Sequence, residues 1–499
     1  MADNVIMGID LGTSSVKVVL MNPDGRVVGS AAQEYAFDIP RPGWAEQDPQ
    51  VWVQASLAAM QRALSAAGLS KLGVQAIGLS GQMHGLVCVD EAGVPVRPAI
   101  IWADQRSTAQ VERIYRQVGA RQLGEWTANP VATGFLLPSW LWLTEHEPAI
   151  TARTRHLLLP KDYLRYALTG CLGIEPSDAS SSLLFDTAHR RWSLDLASAL
   201  GIDPALLLAA HESAEVAGGL TQSVADSLGL AAGLPVIYGG SDQGMAALGQ
   251  GITQAGQLAC SISTGGQMVA PLERWVYDPE LRAHTFCHVL SERWFLEAAT
   301  LSAGLALRWL RDNIFKSLSY AELANLAAQT PSSEGLFFLP HLAGERTPYM
   351  DAGSKAGFWG LTLQHHQGHM VRAVMEGVIF SMRACLDLFL SLGVPVERVV
   401  AAGGGTRHPL WMQLMADIFN RPITQTGTVE ASATGAAILA GVGVGIYPDA
   451  ETACRRVVHF SGDLVQPNPA AAEYYRKAYQ TYTKLYPAFQ QIREGSRPT

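Results

Sequence analysis

Residues 5–34 read VIMGIDLGTSSVKVVLMNPDGRVVGSAAQE, three short apolar runs parted by the turns Gly12-Thr13-Ser14 and Asn22-Pro23-Asp24-Gly25. Runs of this length between such turns predict antiparallel strands, so the chain opens its core with a three-stranded meander. From residue 49 to about 66, Val51, Trp52, Ala55, Leu57, Ala58 and Met60 fall near helical spacing, and residues 74–79 form another apolar run that stops in a glycine loop. Strand, helix and strand in that order predict an α/β sheet. A weaker echo begins near residue 256, with apolar residues 257–262, the turn Ser263-Thr264-Gly265-Gly266, and a second run over 267–271. Much later, residues 399–402 lead into Gly403-Gly404-Gly405. A chain of 499 residues is too long for one core. The echo divides it into an N-terminal domain over 1–252 and a C-terminal domain over 253–499.

Composition narrows the function classes. Hydrophobic residues make up 48% and charged residues 16% of the chain, a balance that supports packed cores rather than disorder. The formal net charge of -8 has the wrong sign for gripping a nucleic-acid backbone. A local phosphate site needs no bulk positive charge, because backbone N–H groups can supply it. The six cysteines are scattered with no C-x-x-C spacing, which reads as reduced core thiols rather than a disulfide framework or zinc site. The opening residues hold no basic segment followed by an apolar one, which predicts no secretory signal and a cytoplasmic protein. Residues 431–448, ASATGAAILAGVGVGIYP, have the length of a membrane span, but their Ala and Gly content predicts a buried, closely packed helix. Neither nucleic acid nor membrane is expected as a partner, and a homodimer is left open.

Five strand ends carry the candidate chemistry. In Asp10-Leu11-Gly12-Thr13-Ser14-Ser15, glycine permits close approach of backbone, the hydroxyls and N–H groups suit phosphate oxygens, and Asp10 suits a hydrated Mg²⁺ bridging phosphates. An ordinary hairpin whose Asp caps its own turn would look the same. No G-x-x-x-x-G-K-[ST] occurs, which excludes a P-loop. Gly81-Gln82-Met83-His84-Gly85 mixes donors, acceptors and an apolar wall, a combination suited to a sugar, or to a polar turn over a core Met. Gly239-Gly240-Ser241-Asp242-Gln243-Gly244 sets a carboxylate at a strand end, where it could accept a hydroxyl proton or cap the following helix. Thr264-Gly265-Gly266 and Gly403-Gly404-Gly405 can lie against a phosphate or a planar ring. In Ile101-Trp102-Ala103-Asp104-Gln105-Arg106, Asp104 and Arg106 could touch a polyol or each other. Gly344-Glu345-Arg346-Thr347-Pro348 reads equally as a cleft loop and a salt-bridged surface turn, and Asp48-Pro49 as a helix cap.

Taken together, these segments resemble the FGGY carbohydrate kinases, of the actin, sugar kinase and heat-shock ATPase superfamily. The likeness runs from MGIDLGTSSVKVVL through GWAEQDP, GQMHG, LPKDYLRYALTG, GGSDQG, ISTGG, FLPHLAGERTP and AAGGGTRHPLWMQLMADI to TGAAILA. GQMHG, LPKDYLRYALTG and GERTP look most like the xylulokinase branch. The resemblance implies two ribonuclease-H-like lobes around a central cleft, with the sugar on the N-terminal lobe and ATP mainly on the C-terminal one. It implies ATP and Mg²⁺ as cosubstrate and metal, and direct phosphorylation of D-xylulose to D-xylulose 5-phosphate. By the same likeness Asp242 is the general base and Asp10 supports Mg²⁺ through water. Gln82, Met83, His84, Asp104, Asp242 and Gln243 stand at the sugar. Gly12, Thr13, Ser14, Thr264, Gly265, Gly266, Gly403, Gly404 and Gly405 stand at the nucleotide. Two departures lie beside the expected sugar: Ala103-Asp104-Gln105-Arg106 where the family often has Asn-Asp-Gly-Arg, and Gln243 where xylulokinases usually carry Asn. Because both lie beside the sugar, the resemblance fixes the chemistry more closely than the exact sugar. A kinase for ribulose, L-xylulose or glycerol, or a sugar-independent ATPase, remains the alternative.

Overall fold

The computed structural model describes residues 4–68, 73–428 and 430–495. The chain forms two compact units, and they do not follow a single cut at residue 252. The first comprises Met1–Thr253, Leu272–Phe295 and Thr428–His459; the second comprises Gln254–Pro271, Leu296–Gly427 and Phe460–Thr499. The reason is visible in the packing, where a late helix completes the early core.

The first unit opens with the expected meander, β1 (Val5–Leu11), β2 (Ser15–Met21) and β3 (Val27–Glu34). Then come the helix Pro49–Ala67 and β4 (Val74–Gly81). Further on are β5 (Val216–Gly219), β6 (Pro235–Ile237) and the short β7 (Gly240–Ser241). The sheet order is β5-β6-β4-β1-β2-β3, with β7 also pairing β4. β1, β6 and β7 all run parallel to β4, whereas β2 pairs antiparallel with β1 and β3 antiparallel with β2. Asp48 caps the first helix, its carboxylate accepting from Gln50 N at 2.9 Å, with Pro49 in the first turn.

Period-two alternation sends Val5, Met7, Ile9 and Leu11 to one face, against Trp52, Met60 and Leu164. Ile6, Val19, Met21 and Ala76 go to the other face, against the helix Ala431–Gly443. Glycine on the strands brings that helix to backbone contact: a Cβ at Gly8 would lie 1.8 Å from Ala433 O, and one at Gly78 1.9 Å from Ala436 O. The stretch that resembled a membrane span is thus a core helix whose small residues meet glycines on two strands. No helix among the described residues is long and apolar enough to cross a membrane.

The second unit repeats the plan. Its strands are β8 (Gly256–Ile262), β9 (Gly266–Leu272), β10 (Trp294–Thr300), β11 (Val396–Ala402), β12 (Ile423–Thr426) and β13 (Phe460–Val465). They follow the order β10-β9-β8-β11-β12-β13. As in the first unit, the hairpin strand β8 pairs parallel to a later strand, β11, which pairs parallel to β12, and β13 returns antiparallel. The helix Gln367–Ser391, buried through Val371, Val374, Val378 and Met382, fills its core. The repeated order is the ribonuclease-H-like, actin-like ATPase fold.

Candidate functional site

In the first unit, three parallel strands stop in register at one sheet edge. Asp10 of β1 lies opposite Ser80 of β4, and Ser80 lies opposite Gly240 of β7. Strands spaced about 4.8 Å apart put the ends of β1 and β7 roughly 10 Å from each other. Asp10, and Asp242 two residues beyond Gly240, therefore emerge at the same carboxyl edge, where α/β sheets hold ligands. The Ser80 hydroxyl donates to Asp10 Oδ1 at 3.0 Å. Burial raises the Asp10 carboxyl above its usual range, while the Ser80 bond and the charge of Lys17 oppose the shift.

Asp242 is the first residue of the helix Asp242–Gly249 and is half-buried. The cap position belongs to Ser241, so Asp242 is not the capping residue. Ser241 N donates to Ser177 Oγ at 2.9 Å, and Ser177 Oγ donates to Glu175 Oε1 at 2.9 Å, which fixes the strand end just before Asp242. Beneath it lies a sealed charge cluster of Lys161, Asp162, Arg165, Glu175 and Asp178, all fully buried. Lys161 Nζ stands 2.8 Å from Asp162 Oδ1 and 3.4 Å from Asp178 Oδ2. Burial pushes Asp178 well above the usual carboxylate range, with Lys161 opposing and Glu175, Asp162 and Asp242 adding to it. Sequence reasoning assigned these residues no role. The available signal was a Lys-Asp pair followed by Arg on the helix Pro160–Thr169, charges in an otherwise apolar segment.

The GQMHG residues separate by environment. Met83 is buried as an apolar wall. His84 adopts a left-handed backbone, stacks on Phe135 with centroids 3.8 Å apart, and bonds through Nδ1 to Ser181 O at 3.1 Å. Phe286 and His284 extend the same aromatic wall. Gln82, read as a sugar contact, is 2% exposed; its amide donates to Gln47 Oε1 at 3.0 Å and its carbonyl accepts from Thr13 Oγ1 at 3.4 Å. It therefore holds the Gly12-Thr13-Ser14 turn from below. Trp102, a side chain that sequence reasoning passed over, is 42% exposed and donates its indole N–H to Thr13 Oγ1 at 2.8 Å. Asp104 is fully buried, and its oxygens accept from Ala45 N and from Arg106 Nε and Nη2 at 2.7 to 3.0 Å. Of the two readings of that pair, the structure takes mutual contact, because a sealed carboxylate needs its partner. Gln243 follows Asp242 on the helix and is half-buried.

The second unit holds a cavity of about 500 Å³, within the usual range for small-molecule sites. Ser263, Thr264, Arg308 and Arg407 give it a polar, cationic side; Leu307, Tyr320, Ala324 and Trp411 give it an apolar one. Gly404 and Gly405 form its glycine wall. Arg308 Nη2 donates to Thr264 Oγ1 at 3.1 Å. Gly265, Gly266 and Gly403 shape the turns from behind: a Cβ at Gly265 would meet Thr300 O at 2.5 Å, and Gly403 turns the chain at φ 86. Arg308, Tyr320 and Trp411 carried no sequence signal, since each sits in an ordinary helical pattern. Among the described residues no group of three or more His, Cys, Asp or Glu is placed to hold a metal ion.

Comparison with known proteins follows these lines. Residues 5–249 match the N-terminal domain, and residues 258–444 the C-terminal domain, of the FGGY family of carbohydrate kinases. A xylulose kinase of Staphylococcus epidermidis is 35% identical over 496 residues, 99% of this chain and 98% of that protein. The xylulose kinase of Escherichia coli K12 is 37% identical over 439 residues, 87% of this chain and 89% of that protein. A crystal structure described as a xyloylose kinase from Brucella ovis superposes with a TM-score of 0.91 at 33% identity, covering 98% of this chain and all of that one (100%).

Proposed function

Because this chain belongs to the FGGY family of carbohydrate kinases, we propose that it transfers the γ-phosphoryl group of ATP to D-xylulose, giving D-xylulose 5-phosphate by direct in-line displacement. The single observation that carries the chemistry is the shared carboxyl edge at which Asp10 and Asp242 emerge. Relatives named xylulose kinases at 35% and 37% identity support the sugar.

Asp242 accepts the proton of the sugar's terminal hydroxyl as the oxygen attacks the γ-phosphorus. Asp242 opens the helix Asp242–Gly249, and the Ser241–Ser177 bond fixes the backbone just before it. Met83 and His84 pack on the sugar's carbon face, and Gln243 lies beside the reacting hydroxyl. The Ser14 and Thr264 hydroxyls and the N–H groups of Thr13, Ser14 and Gly265 donate to phosphate oxygens, while Gly12 N and Gly266 N hold the turns together through Ser15 O and Thr300 Oγ1. Adenosine fits the cavity, with its ring among Leu307, Tyr320 and Trp411 beside Gly404 and Gly405 and its phosphates toward Arg308 and Arg407. Asp10 suits a hydrated Mg²⁺: it is a hard oxygen donor whose burial raises its carboxyl, and a nearby dication relieves that penalty. When bound, the metal offsets charge on the phosphates. Six free cysteines, five of them buried, fit a reducing compartment, and we assign the enzyme to the cytoplasm.

The test is a coupled ADP-release assay over D-xylulose, L-xylulose, D-ribulose, L-ribulose and glycerol, run on the wild type and on Asp242→Asn. D-xylulose should give the highest kcat/KM, and the variant should lose about 10²–10⁴-fold in kcat while still binding ATP. Near-normal turnover in a folded variant removes Asp242 from the mechanism. Preference for another sugar reassigns the substrate, and ADP release indifferent to sugar favours a sugar-independent ATPase.

A further inference from the structure

The GERTP loop contacts neither the cavity nor the Asp10–Asp242 edge by any bond described above, yet its carboxylate is nearly sealed. Glu345 is 2% exposed. Its Oε1 accepts from Leu301 N at 2.8 Å and from Arg346 N at 2.8 Å, and its Oε2 accepts from Ser381 Oγ at 3.2 Å. His341 Nε2 stands 3.6 Å from Oε2. The loop is itself stapled in place. Glu345 and Asp351 exchange both backbone bonds at 2.9 Å, and Asp351 pairs with Arg493 at 2.7 Å and accepts from Tyr486 at 3.0 Å.

Leu301 opens the segment that grips the second phosphate turn. Next to it, Thr300 Oγ1 accepts from Gly266 N at 3.2 Å. Ala303 N and Leu305 N both donate to Thr264 O at 3.0 Å, and Gly304 N donates to Ser263 O at 2.8 Å. The GERTP loop also binds the end of β10 directly, Thr347 N donating to Ala299 O at 3.1 Å. Residues 299–305 therefore lie between the loop on one side and the turn 263–266 on the other, and the Glu345 carboxyl bonds to their backbone on the loop side. Burial pushes the Glu345 carboxyl up to about 7 against the bonds from Leu301 and Arg346, and a buried acceptor left without these donors costs free energy, so the bonds impose a fixed geometry.

We propose that Glu345 is a positioning residue for nucleotide: it fixes Leu301, and through Thr300 and the backbone of 303–305 it holds the Ser263–Gly266 turn in the shape that receives phosphate oxygens. This rests on the reading that nucleotide phosphates lie at that turn.

The test compares whole wild-type enzyme with Glu345→Gln and with Thr300→Val, which removes the acceptor of Gly266 N and leaves Glu345 in place. ATP affinity is read by titration calorimetry, and KM for ATP, KM for the sugar and kcat by steady-state assay. Each variant should raise the KM for ATP roughly tenfold, as the loss of one buried hydrogen bond implies, with the sugar's KM unmoved. The double variant should be no worse than either single one, because both act through one route. Should Glu345→Gln fail to fold, Thr300→Val carries the same ATP-against-sugar split. Wild-type ATP affinity in both folded variants, or an equal rise in both KM values, overturns the positioning role alone. A wild-type protein that binds no ATP overturns the functional reading beneath it.

Discussion

Glu297 on β10 shows what a single carboxyl costs in this core. It is 9% exposed, and burial pushes it from the ordinary 4.5 up to about 7, with the Arg346 charge opposing. A carboxyl whose folded pKa is raised contributes stability that is whole below 4.5 and lost as pH rises through 7. Glu297→Gln removes that loss. The variant should be more stable than the wild type at pH 8, on the order of 3 kcal/mol, with the gap closing by pH 5. Thermal unfolding across that range checks it, and a pH-independent difference would contradict it. At this scale the sequence was most legible where chemistry needs a residue type at a strand end. Asp10 and Asp242 were read as strand-end carboxylates, and both emerge at one sheet edge. Gln82 and Asp104 did not yield their roles to the same reasoning. A polar side chain that faces a ligand and one that ties down a neighbour have the same local sequence, and only the partners Gln47, Thr13 and Arg106 separate them.

The helix Ala431–Gly443 was legible as an element but not as a neighbour. Its Ala and Gly content announced close packing, while the surfaces it meets, Gly8 and Gly78, come more than 350 residues earlier. Local periodicity carries no information about so distant a partner. The contact makes a sharp prediction. Gly78→Ala drives a methyl into Ala436 O, a backbone atom that cannot swing aside. The variant should lose roughly 3 kcal/mol or more, or fail to accumulate folded. Chemical denaturation measures this, and an unchanged midpoint would show that the helix can lift from the sheet at little cost. The strands that bound the candidate site were read nearly to the residue, because glycine turns end them abruptly. Before Asp242 the chain breaks: β6 stops at Ile237, and the separate short strand β7 follows, with Gly239 at φ 80 between them. That break re-aims the chain so that Asp242 begins a helix at the sheet edge.

For the whole molecule, the repeated sheet order separates the residues proposed for the sugar from the cavity proposed for adenosine. Met83, His84, Asp242 and Gln243 belong to the first unit, and every residue around the 500 Å³ cavity belongs to the second. The proposed sugar residues and the cavity proposed for adenosine each lie within one unit, so sugar and ATP should each bind without the other, in random order. Calorimetric titration with each ligand alone should give a saturable signal, and each alone should raise the melting temperature, by about 2.7 kcal/mol of stabilisation at a hundredfold excess over Kd. Sugar binding that appears only in the presence of nucleotide would contradict this. The twofold division was legible from the echo of the meander, but the interleaving of the units was not. The first unit's completion by Thr428–His459 bears on how the protein is made. A ribosome releases the opening sheet long before the helix that covers Ile6, Val19 and Ala76 has been translated. That apolar face waits through most of the nascent chain's emergence, when exposed strands are prone to stick to other chains. A message cut short after the first glycine-rich loops would therefore yield an unsealed sheet rather than a half-enzyme, and holding chaperones have their natural target there.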